Sequence, residues 1–507
     1  MNIFLDSFHA RKIKVVQLLQ SEDRFFTILE LSETLNVTAS TIEKAVESLV
    51  EDFTSGPYRC QIQKNYQKNK KIKIKASRLF SIEELKRCYM TSNFLYQSFY
   101  EIFTREFEDV KTYAEKNFTS LTMAYKKFSN MEPILQSFGL KFNFSSDFEL
   151  VGTETQIRYF YLSLFWSVYD GNYWPFDVEP ATLTPVIDEI EKLQGRRLPL
   201  ARRDFYYHWL GVIVTRLNQG YYVEDLKIDA DQFIQYDIDA VQPFYDFLIE
   251  SLEVEIPPEH VYNEVAFLSL ITYAFEHQLH FQEKMNFHRL RLMNAMPNNI
   301  IFDSVNYFMK AFEENSSIRL GDREYNDLYL NLVNLHTRVL FFEGEYKDFQ
   351  GVNTKFLSKR LEGFFSEYFD EMLSELAKDS RFTPIFSKKK ELSKIYTMLL
   401  SNTLKVGEHI PPIRVSIISV YGDKRINYYR RVIQFSWFEE IDITAEVDGE
   451  VDLIITDRNY HQLAAQKDRV FVWSEHPTAK DIAHLNVRLD NILIQKAKES
   501  FWFNNQQ

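Results

Sequence analysis

The sequence predicts a mainly α-helical, multidomain protein with two winged helix-turn-helix units at its head and a small parallel α/β layer at its end. Three observations carry this expectation. Apolar residues recur at helical spacing along most of the chain, with only 14 Gly and 14 Pro in 507 residues to interrupt them. A turn-centred pattern near residue 36 returns 82 residues later. From Ile413 onward the period changes to short β-rich runs separated by helical segments.

At this length one hydrophobic core is not enough, so several domains are expected. Two cysteines, Cys60 and Cys88, cannot staple a chain of this size and suit a reducing compartment. No basic and then apolar leader opens the sequence. The uncharged apolar run 159–169 is about half what a membrane span requires. A soluble, cytoplasmic protein with no membrane partner is expected.

The formal net charge is −13, which by itself argues against a polyanionic partner. The charge is unevenly spread, however. Residues 1–130 hold 20 Lys/Arg against 16 Asp/Glu, or +4, and the remainder carries −17. Phosphate contact is local, so a basic head outweighs the sum.

The first winged helix-turn-helix is expected at residues 1–78. In Ile28–Leu49 an apolar stripe of Ile28, Leu31 and Leu35 is followed by Asn36, a residue that tolerates a left-handed turn. Ser32 supplies a small side chain where two helices cross, and Val37 plugs the corner. Thr38, or Ser40 with Glu43, caps the second helix, whose Ile42, Val46 and Leu49 face inward. Thr38, Ser40, Thr41, Lys44 and Ser48 are left as the candidate DNA-facing set, although Glu43, Glu47 and Glu51 on the same helix oppose phosphates. From Arg59 to Arg78 there are eight basic residues and no acid. A two-stranded wing there would aim Lys70, Lys71, Lys73 and Lys75 at the DNA backbone.

Shifted by 82 residues, Leu35–Leu49 lies without a gap on Asn117–Met131. This predicts a second unit at 79–156, with Ser120, Thr122, Met123, Lys126, Lys127 and Asn130 exposed and free of acids. The segment 140–151 supplies its wing. Neither recognition helix offers Arg, Asn or Gln at its start for bidentate base contact, so electrostatic and shape-based reading is expected.

Residues 109–162, with Ala114-Glu-Lys116 leading to Phe118 and Ser120, and then Val151-Gly-Thr-Glu154 before Gln156-Ile-Arg-Tyr-Phe160, resemble the Mga family of Gram-positive virulence and carbon-source regulators. The resemblance is clear to about residue 170 and looser beyond. It implies an activator binding double-stranded promoter DNA. It also implies two helical domains like those phosphorylated by the sugar phosphotransferase system, and a C-terminal domain like that system's IIB component.

The body agrees in outline. Helical periodicity with breaks at Gly171, Gly195, Gly220 and Pro257-Pro258 predicts one bundle at 157–294, and a second follows at 295–404. Strand and helix alternate over 411–503. Where a IIB component carries its phosphate, after the first strand, this chain reads Tyr421-Gly-Asp-Lys424, so phosphotransfer chemistry is not expected there and the domain is assigned to assembly or sensing. By the resemblance, His208, His277 and His336 are candidate phosphorylation sites for the histidine-phosphorylated carrier protein. The plainer alternative for each is a capping or core-edge histidine. His277 and His280 have helical metal-ligand spacing but no third ligand, so no metal and no cofactor is expected. No phosphate loop, nucleophile elbow or dinucleotide fingerprint is present, and no enzyme is expected. The large acidic body suggests a homodimer. Two alternatives remain open, an RNA-binding antiterminator with the same regulatory domains and a non-catalytic interaction scaffold.

Overall fold

The computed structural model describes residues 4–65, 70–143, 149–169, 173–194, 197–224, 226, 242, 244–252, 254–275, 299–344, 359–403, 410–437, 441–444, 447 and 450–501. The chain forms two compact units. One gathers Met1–Ile187, Leu198–Glu224 and Leu252–Ile256, and the other holds the remainder.

The first unit opens with α1 (Ser7–Ser21), β1 (Phe26–Thr27), α2 (Ile28–Thr34), α3 (Ala39–Ser55) and the antiparallel strands β2 (Cys60–Asn65) and β3 (Lys71–Ala76). The three strands pair in the order β1-β3-β2. Ile13, Val16, Leu19, Leu31, Ile42, Val46, Leu49, Ile72 and Ile74 form one buried cluster. The inward stripe read from the sequence is therefore the core of this element group. Next come α4 (Ile82–Thr91), α5 (Phe94–Thr104), α6 (Val110–Lys116), α7 (Leu121–Ser129) and α8 (Glu132–Ser137), and then the short hairpin β4 (Lys141–Asn143) and β5 (Glu149–Val151). Gly152 follows β5 where a Cβ would meet the end of the Leu140 side chain at 2.3 Å, so a larger residue there would have to displace Leu140.

Helix α9 (Glu154–Tyr169) is buried nearly all round, which is why its sequence shows no polar face. Its partner is α11 (Leu200–Asn218). Helix α10 (Pro180–Gln194) begins on a proline, which is tolerated in the first turn of a helix.

The second unit holds α12 (Pro258–Ala274), α13 (Ile300–Glu314), α14 (Asp322–Phe341), α15 (Lys359–Leu376), α16 (Thr383–Phe386) and α17 (Lys389–Thr403). It continues into β6 (Ile413–Ile418), α18 (Asp423–Ser436), β7 (Ile441–Thr444), β8 (Leu453–Thr456), β9 (Val470–Val472) and α19 (Ala479–Ser500). The four strands are parallel in the order β7-β6-β8-β9. The fully buried pattern of β8 matches its unbroken apolar sequence. At the end of α19, Phe501 packs against Phe365, Tyr368 and Phe312, and Ser317 N donates to Ser500 O at 2.9 Å. These contacts fasten the α/β layer to the helical block. Among the described residues no helix is long and apolar enough to cross a membrane.

Candidate nucleic-acid interface

The two helical hairpins α2–α3 and α6–α7 share one turn geometry, hydrogen bond for hydrogen bond. Val37 N donates to Ser32 O at 2.9 Å, and Thr119 N to Ala114 O at 2.8 Å. Asn36 N donates to Glu33 O at 3.2 Å, and Phe118 N to Glu115 O at 3.1 Å. Asn36 and Phe118 both take the left-handed conformation, with φ 52° and 51°. Thr38 caps α3 by accepting from Thr41 N, and Ser120 caps α7 by accepting from Met123 N. Every one of these pairs is separated by 82 residues, so the sequence repeat is also a structural one.

On α3 the residues Thr38, Ser40 and Lys44 are exposed. Thr41 is half-buried, with its hydroxyl 2.7 Å from that of Thr38. Ser48 is not on the outer face. It accepts from Lys12 at 3.1 Å, and Lys12, only 2% exposed, also pairs with Asp52 at 2.5 Å. The Lys12 ammonium lies 4.3 Å from the Tyr89 ring centre, and Tyr89 donates its hydroxyl to Asp52. Ser48 therefore belongs to an internal charge pair that ties α3 to α1 and α4.

The first wing is β2–β3, with Gln63 opposite Lys73. Lys71 and Lys75 are exposed. Lys70 pairs with Glu43 at 2.6 Å, and Lys73 pairs with Asp23 at 2.7 Å. Both pairs are partly solvated and easily exchanged for phosphate. The first holds the wing close to α3 and neutralises one of its acids, and the second ties it to the turn after α1. Of the four wing lysines, Lys71 and Lys75 make no ion pair among the described residues.

Around α7, residues Ser120, Thr122, Met123, Lys126 and Asn130 are exposed. Lys127 is half-buried, its ammonium 4.3 Å from the Phe94 ring centre, so Lys126 is the outward cation. The sequence reading passed over Phe118, Leu121 and Tyr125, which are exposed on the same surface. The 82-residue alignment, which places Phe118 on Asn36, was the available signal. Residues 144–148, between the two strands of the second wing, lie outside the described residues.

The histidines are elsewhere and differ from one another. His208 is 2% exposed, with Nδ1 at 2.8 Å from Asp204 O and Nε2 at 3.1 Å from Tyr173 O. Burial lowers its pKa, and the two carbonyls act in the opposite direction. His336 is fully buried. Tyr396 donates to its Nε2 at 2.5 Å, and its Nδ1 donates to Ser304 Oγ at 2.7 Å, whose own hydroxyl donates to Ile301 O. Burial pushes the His336 pKa down to about 3. In this conformation neither ring offers a nitrogen to a phosphoryl donor. His277 and His280 lie outside the described residues. Among the described residues no three His, Cys, Asp or Glu side chains gather as a metal site would require.

At the carboxyl end of β6 the turn passes through Gly422, with φ 73°, into α18. Tyr421 donates to Glu475 at 3.1 Å, and Ser419 donates to Asp457 at 2.5 Å. No thiol or imidazole stands in this turn.

Residues 78–165 match the family described as the Mga helix-turn-helix domain. Three proteins of Bacillus anthracis are similar to the chain. The capsule synthesis positive regulator AcpB is 24% identical over 42% of this chain and 43% of its own length. The anthrax toxin expression trans-acting positive regulator is 22% identical over 44% and 46%, and the capsule synthesis positive regulator AcpA is 24% identical over 36% and 37%. The matches span less than half the length of each relative. The matched residues 78–165 contain the α6–α7 hairpin, its wing and most of α9.

Proposed function

The chain belongs to the Mga family of transcriptional regulators through this helix-turn-helix domain, and from that premise we propose that it activates transcription by gripping promoter DNA with two winged units at once. One observation carries the reading. The same turn is built twice, 82 residues apart, and each copy presents exposed hydroxyls and a lysine on its second helix. Recognition-helix residues meet base edges while lysines and wing residues meet phosphates. The second unit is the stronger reader, because Lys126 has no acid on its own helix whereas Lys44 stands between Glu43 and Glu47. In mobility-shift assays Lys126→Ala is expected to weaken duplex binding about tenfold and to reduce the salt slope by about one. Lys44→Ala should cost less. The reverse order would make the first unit the main reader.

The proposal extends to assembly and regulation. Phe435 is 86% exposed and Tyr428, two turns earlier on α18, is 43% exposed. They make an apolar stripe suited to a second copy of the chain, and a homodimer multiplies avidity for DNA. The regulatory partner in this reading is the histidine-phosphorylated carrier protein. A phosphate on His208 or His336 requires α11 or α14 to open, so it would act by loosening a helical block, while His277 remains the third candidate. Sedimentation covers both points. The full-length chain is expected to be a dimer, Phe435→Glu a monomer, and treatment with phosphorylated carrier should change the dimer fraction. A monomeric wild-type chain removes the interface, and a carrier that labels no histidine removes that partner.

A further inference from the structure

The two recognition helices share a backbone but not a surface. Under the 82-residue correspondence, Asn36 becomes Phe118, Ala39 becomes Leu121, Thr41 becomes Met123 and Glu43 becomes Tyr125. Four small or polar positions thus become large and apolar or aromatic. They are not core residues, since Phe118 is 100% exposed, Met123 48%, Leu121 43% and Tyr125 41%. The inward positions of α7 are instead filled by Ala124 and Phe128, both fully buried.

Phe118 is the most informative of the four. Its backbone sits at φ 51°, where a bulky side chain is strained and asparagine or glycine is at ease. No burial compensates that strain. A fully exposed, strained phenyl ring at the head of a recognition helix is a feature that folding does not require, and it points to contact with a ligand.

The surroundings restrict what that ligand is. From Lys116 to Asn130 the chain carries three lysines and no acid. Lys116 pairs with Glu101 at 2.7 Å and Lys127 lies against Phe94, which leaves Lys126 as the outward cation among exposed apolar side chains. Duplex DNA complements this pattern where thymine displays its C5-methyl group in the major groove, between two phosphate backbones. The methyl is the apolar mark that orients an A·T pair in that groove, and apolar side chains read it.

We propose that the second unit is specific for thymine, with Phe118, Leu121 and Met123 making apolar contact with thymine C5-methyl groups while Lys126 engages phosphate. This rests on the DNA-binding reading above and adds a base preference that the hydroxyls and lysines alone do not supply. The first unit, with Asn36, Ala39 and Thr41 in the same places, then contributes affinity with little methyl discrimination.

The test uses full-length protein and the tightest duplex recovered from a random pool, with each thymine replaced in turn by deoxyuridine, which removes only the methyl. Wild type is expected to lose about fourfold in affinity at one or more positions, the worth of one buried methyl. Phe118→Asn with Leu121→Ala and Met123→Thr, which installs the first unit's own residues, should bind thymine and uridine duplexes equally while keeping the wild-type salt slope. Asn is at ease at this φ, so the variant is expected to fold, and its urea midpoint against wild type checks that. Full uridine tolerance in wild type overturns the proposal, as does undiminished discrimination in the variant. A variant that binds DNA normally, discriminates normally and yet fails to activate a reporter would assign the surface to a protein partner and also overturn it. Wild type that binds no duplex at all would instead overturn the DNA-binding reading on which it rests.

Discussion

Replacing Glu154 with alanine is expected to destabilise the N-terminal unit by about 3–5 kcal/mol, the cost of removing one partner from a buried ion cluster. Glu154, 8% exposed, receives Arg158 at 2.9 Å and Arg216 through two nitrogens at 2.9 and 2.7 Å. The Arg158 side chain is wholly buried and that of Arg216 is 8% exposed. Arg158 also donates to Tyr221 O at 3.1 Å, and the Arg216 guanidinium lies 3.7 Å from the Tyr221 ring centre. One carboxylate thus receives two guanidiniums and fixes the start of α9 to the end of α11. Alanine removes the acid that the two guanidiniums share in a low-dielectric interior where neither can give up its proton. Urea unfolding of the wild type and Glu154→Ala checks this. A loss below about 1 kcal/mol would show that the cluster is solvated and without structural weight.

Mild acid is expected to destabilise the second unit through His336. In the folded chain its pKa is about 3, set by burial alone, against 6.5 in an ordinary environment. The folded state excludes the proton that the unfolded chain accepts. The stability held above pH 6.5 is therefore lost as pH falls toward 3, at about 1.4 kcal/mol per pH unit across that window. His208, also lowered by burial, adds a loss of the same sign in the first unit. Urea midpoints measured from pH 7.5 to 4.5 should fall for wild type, and much less steeply for His336→Gln once each is referred to its own value at pH 7.5. Equal slopes would mean that another group carries the acid sensitivity.

Parts of this structure were legible because few residues satisfy the local requirement. The left-handed turn at Asn36, the small Ser32 at the helix crossing and the β-rich runs of β6 and β8 are such places. Other parts depend on partners far away in the chain. Lys12, a charged residue with nothing near it in sequence to mark it as core, is buried against Asp52, 40 residues on. That pairing is what turns Ser48 inward. Lys73 finds Asp23 across the sheet, so an acid-free run of sequence is not an unpaired surface. The burial of His208 and His336 was hidden for a similar reason. Aromatic and hydroxyl partners such as Tyr396 and Ser304 leave no periodic mark. Phe118 could have been found from its alignment on Asn36, a turn position rather than a core one, and its exposure is then settled by the turn itself.

The central claim is that this protein recognises duplex DNA through its two N-terminal units. It is tested most directly by fluorescence anisotropy of full-length protein with a mixed-sequence duplex, the matching single strand and a hairpin RNA across a salt series. The account predicts at least about tenfold preference for the duplex and a slope of log K against log salt of about −4 or steeper, as several lysine–phosphate contacts require. A flat salt response, or a preference for the hairpin RNA, would contradict it.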